Sequence, residues 1–240
     1  MEQPALNQNP NPSYYKDLEG QSEDVRSMLR LGFIRKVYGI LSFQLLLTVF
    51  MCSLTFVSSV REFYQRNLAI FWICLGISFF LIIPLICCQN VARTVPTNYI
   101  FLTLWTICEA YMVATCCSFY SPDIVITAAS LTCAITIGLT FYAFTTKTDF
   151  TFMGGFLCVG CILLFFLGLF SMIFSFLNTL YCVLGVLLFS LYLIYDTQLV
   201  MGKYGVEYQI DDYIIAALMI YLDIIQIFLY LLELLGKRNN

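Results

Sequence analysis

The sequence predicts an all-α integral membrane protein built from seven helices, and three observations support this fold class. Hydrophobic residues make up 60% of the 240 residues and charged residues only 11%, whereas soluble domains average roughly 45–50% and roughly 25%. Seven apolar runs have lengths near the ~20 residues that a helix needs to cross ~30 Å of hydrocarbon. Polar or turn-forming residues separate the runs. Because lipid offers no partners to backbone N–H and C=O groups, such runs form helices rather than open strands.

Residues 1–32 form the most polar part of the chain and are rich in Pro, Asn, Gln and Ser. They lack the compact apolar stretch and the small-residue cleavage site of a signal peptide. We therefore expect a short disordered tail in the cytosol, with a surface helix at residues 23–36 leading into the membrane. The multi-pass membrane domain is predicted to occupy residues 33–240.

The first three membrane helices are predicted at about 37–60, 68–88 and 98–119. A charged segment at 61–66 ends the first run, and a polar segment that contains a proline, at 89–96, ends the second. Connections this short make neighbouring helices antiparallel.

The remaining four helices are predicted at about 124–144, 151–172, 175–200 and 213–235. Three polar breaks and one weak break precede them, at 121–123, 147–149, 201–212 and, weakly, Asn178. The last run is the most polar of the seven, which suits a helix that is shielded by protein.

The distribution of lysine and arginine predicts the orientation, because cytosolic loops carry an excess of these residues. Eight basic residues lie in the tail or in the loop after every second helix, whereas only Arg61 and Arg66 lie in the loops on the other side. If all seven runs cross, Lys237 and Arg238 join the smaller group; if the last run enters and returns, they join the larger group. The N-terminus is cytosolic in both arrangements, and the second fits the charge rule better. The eight residues are Lys16, Arg26, Arg30, Arg35, Lys36, Arg93, Lys147 and Lys203.

Charge and residue types exclude several classes of function. A net charge of −3 with scattered basic residues gives no field for binding nucleic acid. The chain has no histidine, which removes the commonest general base and metal ligand. Cys158 and Cys161 form a CxxC motif, but without histidine or a second such motif it is a weak metal or redox signal. We interpret the nine cysteines inside the apolar runs as small packing residues and expect no cofactor; Cys87 and Cys88, at the end of a run near the membrane surface, are the alternative sites for S-acylation.

Three carboxylates interrupt the apolar runs: Glu109 in the third, Asp196 in the sixth and Asp223 in the seventh. A charge at the bilayer centre costs ~2.5–3.5 kcal/mol on insertion scales, and no lysine or arginine lies in the core of any run. The acids must therefore stay protonated, share a proton or hold a cation. Two carboxylates in contact cannot both ionise readily, which makes a pH-responsive latch, and ionised oxygens suit Ca²⁺. The alternative is that these acids only form hydrogen bonds with neighbouring helices.

Helical spacing places the polar residues of the last run along one stripe, with Asp212 and Glu233 at its ends and Asp223 near its middle. Such a stripe should face the protein interior or a watery path rather than lipid. Its predicted members are Asp212, Ala216, Met219, Asp223, Gln226, Tyr230 and Glu233.

Specific motifs occur at the start of the first run and in the last two runs. They are FIRKVY at 33–38, YDTQLV at 195–200, DYI at 212–214 and YLDII at 221–225. With the seven runs, these motifs resemble the transmembrane Bax inhibitor motif family, and within it the Lifeguard and Golgi anti-apoptotic branch. The match extends from about residue 30 to the C-terminus, and the combination of YDTQ and YLDII in this order is specific.

The resemblance implies a compact bundle whose last helix is surrounded by the other six. It also implies a pH-sensitive, calcium-permeable leak in the Golgi or endoplasmic reticulum membrane, which lowers stored Ca²⁺ and inhibits apoptosis. In the family, an aspartate on each of the last two helices forms a pH-sensitive gating pair, and these positions match Asp196 and Asp223. Glu109 matches an acidic position in the third helix of some members. Bacterial relatives carry an arginine in the second helix that engages the pair, and residues 68–88 contain none.

The leading hypothesis is therefore a Ca²⁺ leak channel with Asp196 and Asp223 as the gating pair, which would also bind the permeant Ca²⁺ transiently. Glu109, Asp212 and Gln226 are candidates for lining the pore. The loop acids Glu207, Asp211 and Asp212 would concentrate cations at one mouth, or would form an ordinary solvated loop.

Two alternatives belong to other classes of function. A non-conducting regulator of apoptosis would act by binding partner proteins in the membrane. An intramembrane aspartyl protease also has Tyr-Asp on one helix and a second aspartate on the next. However, those enzymes carry Gly-x-Gly-Asp at the second site, and here Asp223 follows Ile220-Tyr221-Leu222. We therefore do not expect an enzyme.

Overall fold

The computed structural model describes residues 12–205 and 207–236, with side chains from residue 23 onward except at 89 and 90. Within this part the chain is helical without strands. A single 3-10 turn, Thr151–Met153, precedes α7. The helices are α1 (Pro12–Leu54), α2 (Ser58–Arg66), α3 (Leu68–Cys87), α4 (Gln89–Arg93), α5 (Thr97–Ser118), α6 (Pro122–Thr145), α7 (Gly154–Ile173), α8 (Leu177–Met201) and α9 (Tyr213–Leu235).

Seven helices are long and apolar enough to cross a membrane: α1 from Glu23 onward, α3, and α5 to α9. Their outward faces carry large exposed apolar side chains, such as Trp72 and Phe80 on α3 and Phe165 and Met172 on α7. Such faces are stable only against lipid. The prediction of an all-α, multi-pass membrane bundle is confirmed, and the lipid bilayer is its surroundings.

The N-terminal part of α1 differs from the sequence prediction. Residues 12–22, expected to be disordered, are helical, and residues 23–32, where a surface helix was expected, belong to the same helix, which extends the first membrane helix outward to Pro12. This segment is rich in good helix formers such as Leu18, Glu19 and Leu29, and extending a helix that already exists avoids the cost of nucleation. Residues 1–11 lie outside the described residues, and the cytosolic position of the tail stays a prediction.

The first apolar run also ends earlier than the predicted residue 60. Helix α1 stops at Leu54, and the chain turns at residues 55–57 before α2 begins at Ser58. Helix α2 carries the charged residues Arg61, Glu62 and Arg66 and buries only Tyr64. It is a short amphipathic helix at one end of the bundle, which an apolar count cannot distinguish from the membrane helix before it.

Helix α9 forms the centre of the bundle, as the last helix was predicted to do. Ile214, Ala217, Leu218 and Tyr221 are fully buried, and α9 packs mainly against α8, α1, α6 and α5. Helix α3 packs on α5 and α7 packs on α8, so these two helices occupy the outer positions. Because other helices rather than lipid surround α9, its polar residues, including Asp223, can face protein.

Helix α9 runs without a break from one end of the bundle to the other. At its start Asp212 contacts Arg93 of α4. At its end Gly236 lies so close to the ring of Tyr120 that a Cβ there would collide with it, and Tyr120 follows the end of α5. The alternative in which the last run enters and returns is therefore wrong for this fold. Lys237 and Arg238, on which that alternative rested, lie outside the described residues.

Candidate functional site

Asp196 and Asp223 meet where α8 and α9 pack against each other. Asp196 is 5% exposed and Asp223 is 4% exposed, and the two carboxyl groups lie within side-chain hydrogen-bonding range of each other. One carboxyl oxygen of Asp223, Oδ2, is buried and has no hydrogen-bond partner among the described residues. The structure thus brings together the two aspartates that the sequence analysis singled out, and it leaves one oxygen able to take a proton or a cation.

The groups around the pair are tyrosine hydroxyls and a cysteine thiol. Tyr208 contacts Asp196 directly, Tyr195 and Tyr192 approach from α8, and Cys161 approaches from α7. In the part of the chain that the structure describes, no lysine or arginine forms an ion pair with either aspartate. Because the pair has no permanent positive partner, a shared proton or a bound cation is the means of offsetting its charge.

The α8–α9 loop, residues 202–212, folds back over the pair; Val206 lies outside the described residues. Tyr208 donates its hydroxyl hydrogen to Oδ1 of Asp196 over 3.0 Å. Burial raises the pKa of Tyr208, and the nearby Asp196 carboxyl raises it further. Tyr208 therefore stays a hydrogen-bond donor at any physiological pH, and its ring covers the pair from the loop end of the bundle.

Arg30 of α1 fastens this loop to the end of α8. Its Nη1 donates to the carbonyl oxygen of Tyr208 over 2.7 Å, and its Nη2 donates to that of Leu199 over 2.6 Å. Glu207 lies 3.5 Å from Arg30 and 3.0 Å from Arg26. One guanidinium thus joins a carbonyl in the last turn of α8 to a carbonyl of the loop, beside the bond from the N–H of Tyr208 to the carbonyl oxygen of Leu199.

Asp212 lies at the mouth of the bundle rather than inside it. Its Oδ1 accepts a hydrogen bond from Nε of Arg93 over 2.8 Å, and Arg93 also donates to Gln209 over 2.9 Å. The bond to Asp212 raises the pKa of Arg93, so Arg93 stays positively charged. Asp212 is therefore a tie between the loop and α4, and its role in lining a pore stays a prediction.

The polar stripe predicted on α9 is divided between two faces. Asp212, Met219, Gln226 and Glu233, spaced seven residues apart, share the half-buried face, whereas Asp223 is buried with Ala216 and Tyr230 on the neighbouring row. Seven residues are close to two helical turns, so each row stays in register along the helix. Gln226 thus lies one row away from the pair.

Glu109 is not part of the aspartate pair. It lies near Tyr221 of α9 and Cys116 of α5, and the described residues show no contact between it and either aspartate. Glu233 also lies near Cys116 and contacts Cys182. The two glutamates therefore form a second acidic region towards the end of α9, beyond the pair.

Polar contacts between helices that sequence reasoning missed occur along α1, α5 and α9. Gln44 is fully buried and donates to Thr106 over 3.1 Å, beside a cavity of about 210 Å³ between α1 and α5. The hydroxyls of Thr48 and Tyr221 lie 2.8 Å apart. Gln44 and Thr48 interrupt an apolar run with helical i, i+4 spacing, and this signal could have identified them.

Gln198 explains the last residue of the YDTQ motif. It is fully buried, donates to the carbonyl oxygen of Thr148 over 2.9 Å and accepts from the N–H of Phe150 over 2.8 Å. These two bonds fix the α6–α7 loop to α8, two residues after Asp196. The YDTQ motif therefore contains both the buried Asp196 and the residue, Gln198, that fixes the α6–α7 loop to α8.

Comparison with known proteins agrees with this arrangement. The family model for inhibitors of apoptosis-promoting Bax1 matches residues 30–240. Human protein lifeguard 3 is 41% identical over 218 residues, which cover 88% of this chain and 70% of the human protein; the mouse protein of that name is 37% identical over 218 residues, 88% of this chain and 71% of its own. Bax inhibitor 1 of Schizosaccharomyces pombe is 31% identical over 247 aligned positions, covering 98% of this chain and 87% of the yeast protein. None of these names describes an enzyme.

Proposed function

The chain belongs to the family of inhibitors of apoptosis-promoting Bax1, and from this membership we propose that it is a pH-sensitive, calcium-permeable leak channel of internal membranes. It resides in the Golgi or endoplasmic reticulum with its N-terminus in the cytosol, where the leak lowers stored Ca²⁺ and so inhibits apoptosis. The observation that carries the proposal is the contact between Asp196 and Asp223, two buried carboxyls on adjacent helices without a basic partner.

A purely structural role explains this contact poorly. Two acids that only joined α8 to α9 would be as effective as neutral amides, which carry no cost of burying charge. Carboxyls that share a proton differ, because loss of that proton converts an attractive contact into a repulsive one. Oxygen ligands held close together also match the preference of Ca²⁺ for carboxylates. The pair therefore supports a latch that responds to both protons and calcium.

The path of the ion follows α9 in this proposal. The loop acids Glu207, Asp211 and Asp212 attract cations to the mouth, the aspartate pair forms the constriction, and Glu109 provides a second acidic site beyond it. Burial of Asp223 in the middle of the central helix supports the placing of the constriction there. Tyr208 lies between the mouth and the pair, as its hydrogen bond to Asp196 indicates.

Acid closes this latch and alkali opens it. With a proton shared between the carboxyls, the pair is held together and covered by Tyr208. When the proton leaves, two negative groups in a medium of low dielectric constant repel each other, and separation admits a cation. The other titratable groups that face the pair are Tyr192, Tyr195, Tyr208 and Cys161, and none of them is a lysine or an arginine.

The test is calcium entry into liposomes that contain the purified full-length chain and a calcium-sensitive dye, measured between about pH 5 and 8. Wild-type protein should conduct more as the pH rises, and Asp223→Asn and Asp196→Asn should lose this dependence. Asp123→Asn, which removes an exposed acid at the start of α6, is the matched control and should behave as wild type. Wild-type flux and pH response in both pair variants would contradict the proposal.

A non-conducting regulator that binds partner proteins is the second candidate, favoured by relatives that are named for inhibiting Bax rather than for transport. The regulator differs from the channel in one testable respect, because its effect on cell survival does not depend on whether the aspartate pair is protonated. Cell survival under an apoptotic stimulus, compared for wild type and Asp223→Asn at equal expression, separates the two. Full protection by the variant favours the regulator.

A further inference from the structure

Cys52 of α1 and Cys117 of α5 bring two thiols into contact near one end of the bundle. Their Sγ atoms lie 3.7 Å apart, and both are free thiols, 8% and 0% exposed. Helix α1 ends at Leu54 and α5 ends at Ser118, so both cysteines lie within the last turn of their helices. The aspartate pair and its loop do not involve either sulphur.

The contact follows from how α1 and α5 pack. The two helices pack along each other. They run in the same direction, because Arg30, near the start of the membrane-spanning part of α1, and Arg93, before α5, both bind the α8–α9 loop. Residues near their C-terminal ends therefore meet. A disulfide needs an S–S distance of about 2.05 Å, so the sulphurs must approach by about 1.7 Å, which rotation about χ1 and a small helix shift provide.

Helix α2 packs against the end of α5 beside these thiols, and its Tyr64 lies close to Cys52. Gln65 donates to the carbonyl oxygen of Ser118, Arg61 donates to that of Tyr120, and the ring of Tyr64 lies 4.9 Å from that of Tyr111. Only nine residues long, α2 is held at the bundle end by these few contacts. Its local opening exposes the thiols at a small fraction of the cost of global unfolding.

This end of the bundle lies opposite the end that carries Arg30 and the α8–α9 loop. With the N-terminus cytosolic, a placement that rests on the proposed function, the thiols lie on the luminal side. The lumen of the secretory pathway is oxidising and supplies disulfide-class oxidants.

We propose that Cys52 and Cys117 form a redox modification site that is oxidised to a disulfide joining α1 to α5. One cysteine thiolate attacks the disulfide of the oxidant, forms a mixed disulfide and releases one thiol. The second cysteine thiolate then attacks the mixed disulfide at the protein sulphur and releases the second thiol. In total the two cysteines lose two electrons and two protons, and both go to the oxidant, whose S–S bond becomes two thiols.

Cys74 of α3 and Cys108 of α5 provide an internal comparison. These thiols also interact with each other, but they lie in the middle of their helices, where water-soluble oxidants do not reach. If proximity alone decided the reaction in solution, both pairs would be linked. The position of Cys52 and Cys117 at the bundle end predicts that only they are linked.

The test uses the purified full-length chain in lipid nanodiscs, incubated with oxidised glutathione, after which free thiols are alkylated and the protein is digested without reduction. Mass spectrometry should find a Cys52–Cys117 peptide in wild type and in Cys116→Ser, which removes the neighbouring thiol, and none in Cys117→Ser. The oxidised wild type should unfold at a higher temperature than its reduced form, whereas Cys117→Ser should show no difference.

Full alkylation of Cys52 and Cys117 after oxidation would overturn the proposal, as would a Cys74–Cys108 link formed while Cys52 and Cys117 stay free. The assay measures no calcium flux. A protein that fails to conduct but forms the disulfide would therefore contradict the proposed function and support this site.

Discussion

The hydroxyl of Tyr208 lies 3.0 Å from Oδ1 of Asp196, although twelve positions along the chain and the end of a helix separate the two residues. The loop returns to its own helix because Arg30 binds the backbone at both places, Leu199 and Tyr208. One tyrosine thereby links the position of a surface loop to the charge of a buried pair.

Replacing Tyr208 by Phe should shift the pH response of the leak. A hydrogen bond donated to a carboxylate stabilises its ionised form, so the pair of the variant should keep its proton to a higher pH. A bond of about 1 kcal/mol corresponds to an upward shift of about 0.7 pH units in the midpoint of flux against pH. Tyr204→Phe, in the same loop but bonded to the carbonyl of Thr146, should leave the midpoint unchanged. A downward shift in Tyr208→Phe would reverse the assigned role.

Arg30→Ala should destabilise the protein more than Arg26→Ala. The Arg30 side chain is 11% exposed and binds two carbonyls, whereas that of Arg26 is 72% exposed and binds only Glu207. Loss of charged hydrogen bonds of this kind costs about 1.5–3 kcal/mol each, while exposed ion pairs contribute about 0–1 kcal/mol. Unfolding of the two variants in the same detergent measures the difference. Equal stability of the two variants would show that the hydrogen bonds of Arg30 are dispensable.

Gly202→Ala should cost more stability than Gly205→Ala. Both glycines have positive φ angles, 65° and 83°, and a side chain in this region costs about 1–2 kcal/mol. A Cβ at Gly202 would also meet the side chains of Glu207 and Arg30, whereas the position at Gly205 is open. Thermal unfolding of both variants separates the cost of backbone strain from the cost of displacing the Arg30 side chain. If the two costs are equal, the side chains of Arg30 and Glu207 move away from the new methyl group without loss of stability.

Arg93→Gln should raise calcium flux at low ionic strength. The guanidinium of Arg93 offsets the acids of the mouth, and the bond to Asp212 that raises its pKa keeps it charged throughout the working range. Its removal leaves the mouth more negative, with a rise of roughly twofold that disappears at high salt because screening shortens the reach of charge. Lys147→Gln, an exposed residue at the same end, is the control for net charge. An increase that persists at high salt would point to a structural change instead.

Tyr221→Phe should weaken the contact between α1 and α9. The Tyr221 hydroxyl lies 2.8 Å from that of Thr48, and its ring meets Trp105 edge to face at 5.6 Å, so Phe preserves the packing and removes only the hydrogen bond. Hydrogen bonds between membrane helices average about 0.6 kcal/mol and reach about 1.7 kcal/mol. A double-mutant cycle with Thr48→Val measures the coupling. A coupling of zero would show that the two hydroxyls contribute independently.

The sequence predicted the membrane helices well because lipid imposes a length and a composition on each one. Helix α9 matches its predicted bounds of 213–235, and α3 differs from its prediction by one residue. The predictions failed outside the hydrocarbon region, where the bilayer constrains neither the length nor the composition of a helix. Residues 12–22 were expected to be disordered but are helical, and α2 was merged with the run before it.

The site was predictable only in part. Asp196 and Asp223 stand out because a charge in an apolar run is costly, and the structure places them together. Tyr208 and Arg30 do not stand out, because tyrosines and arginines are ordinary in loops and helix ends, and their roles arise from contacts between distant parts of the chain. The division of the α9 stripe into two faces likewise depends on which neighbour covers each row, which periodicity alone does not specify.

The unbroken course of α9 has a topological consequence. An antibody epitope inserted before Arg26 and another joined at Gly236 would sit on opposite faces of a sealed vesicle. If the chain resides in an internal membrane, as proposed, selective permeabilisation of the plasma membrane should then expose one epitope and leave the other hidden. A partner that binds both ends of this chain at once would have to cross the membrane itself.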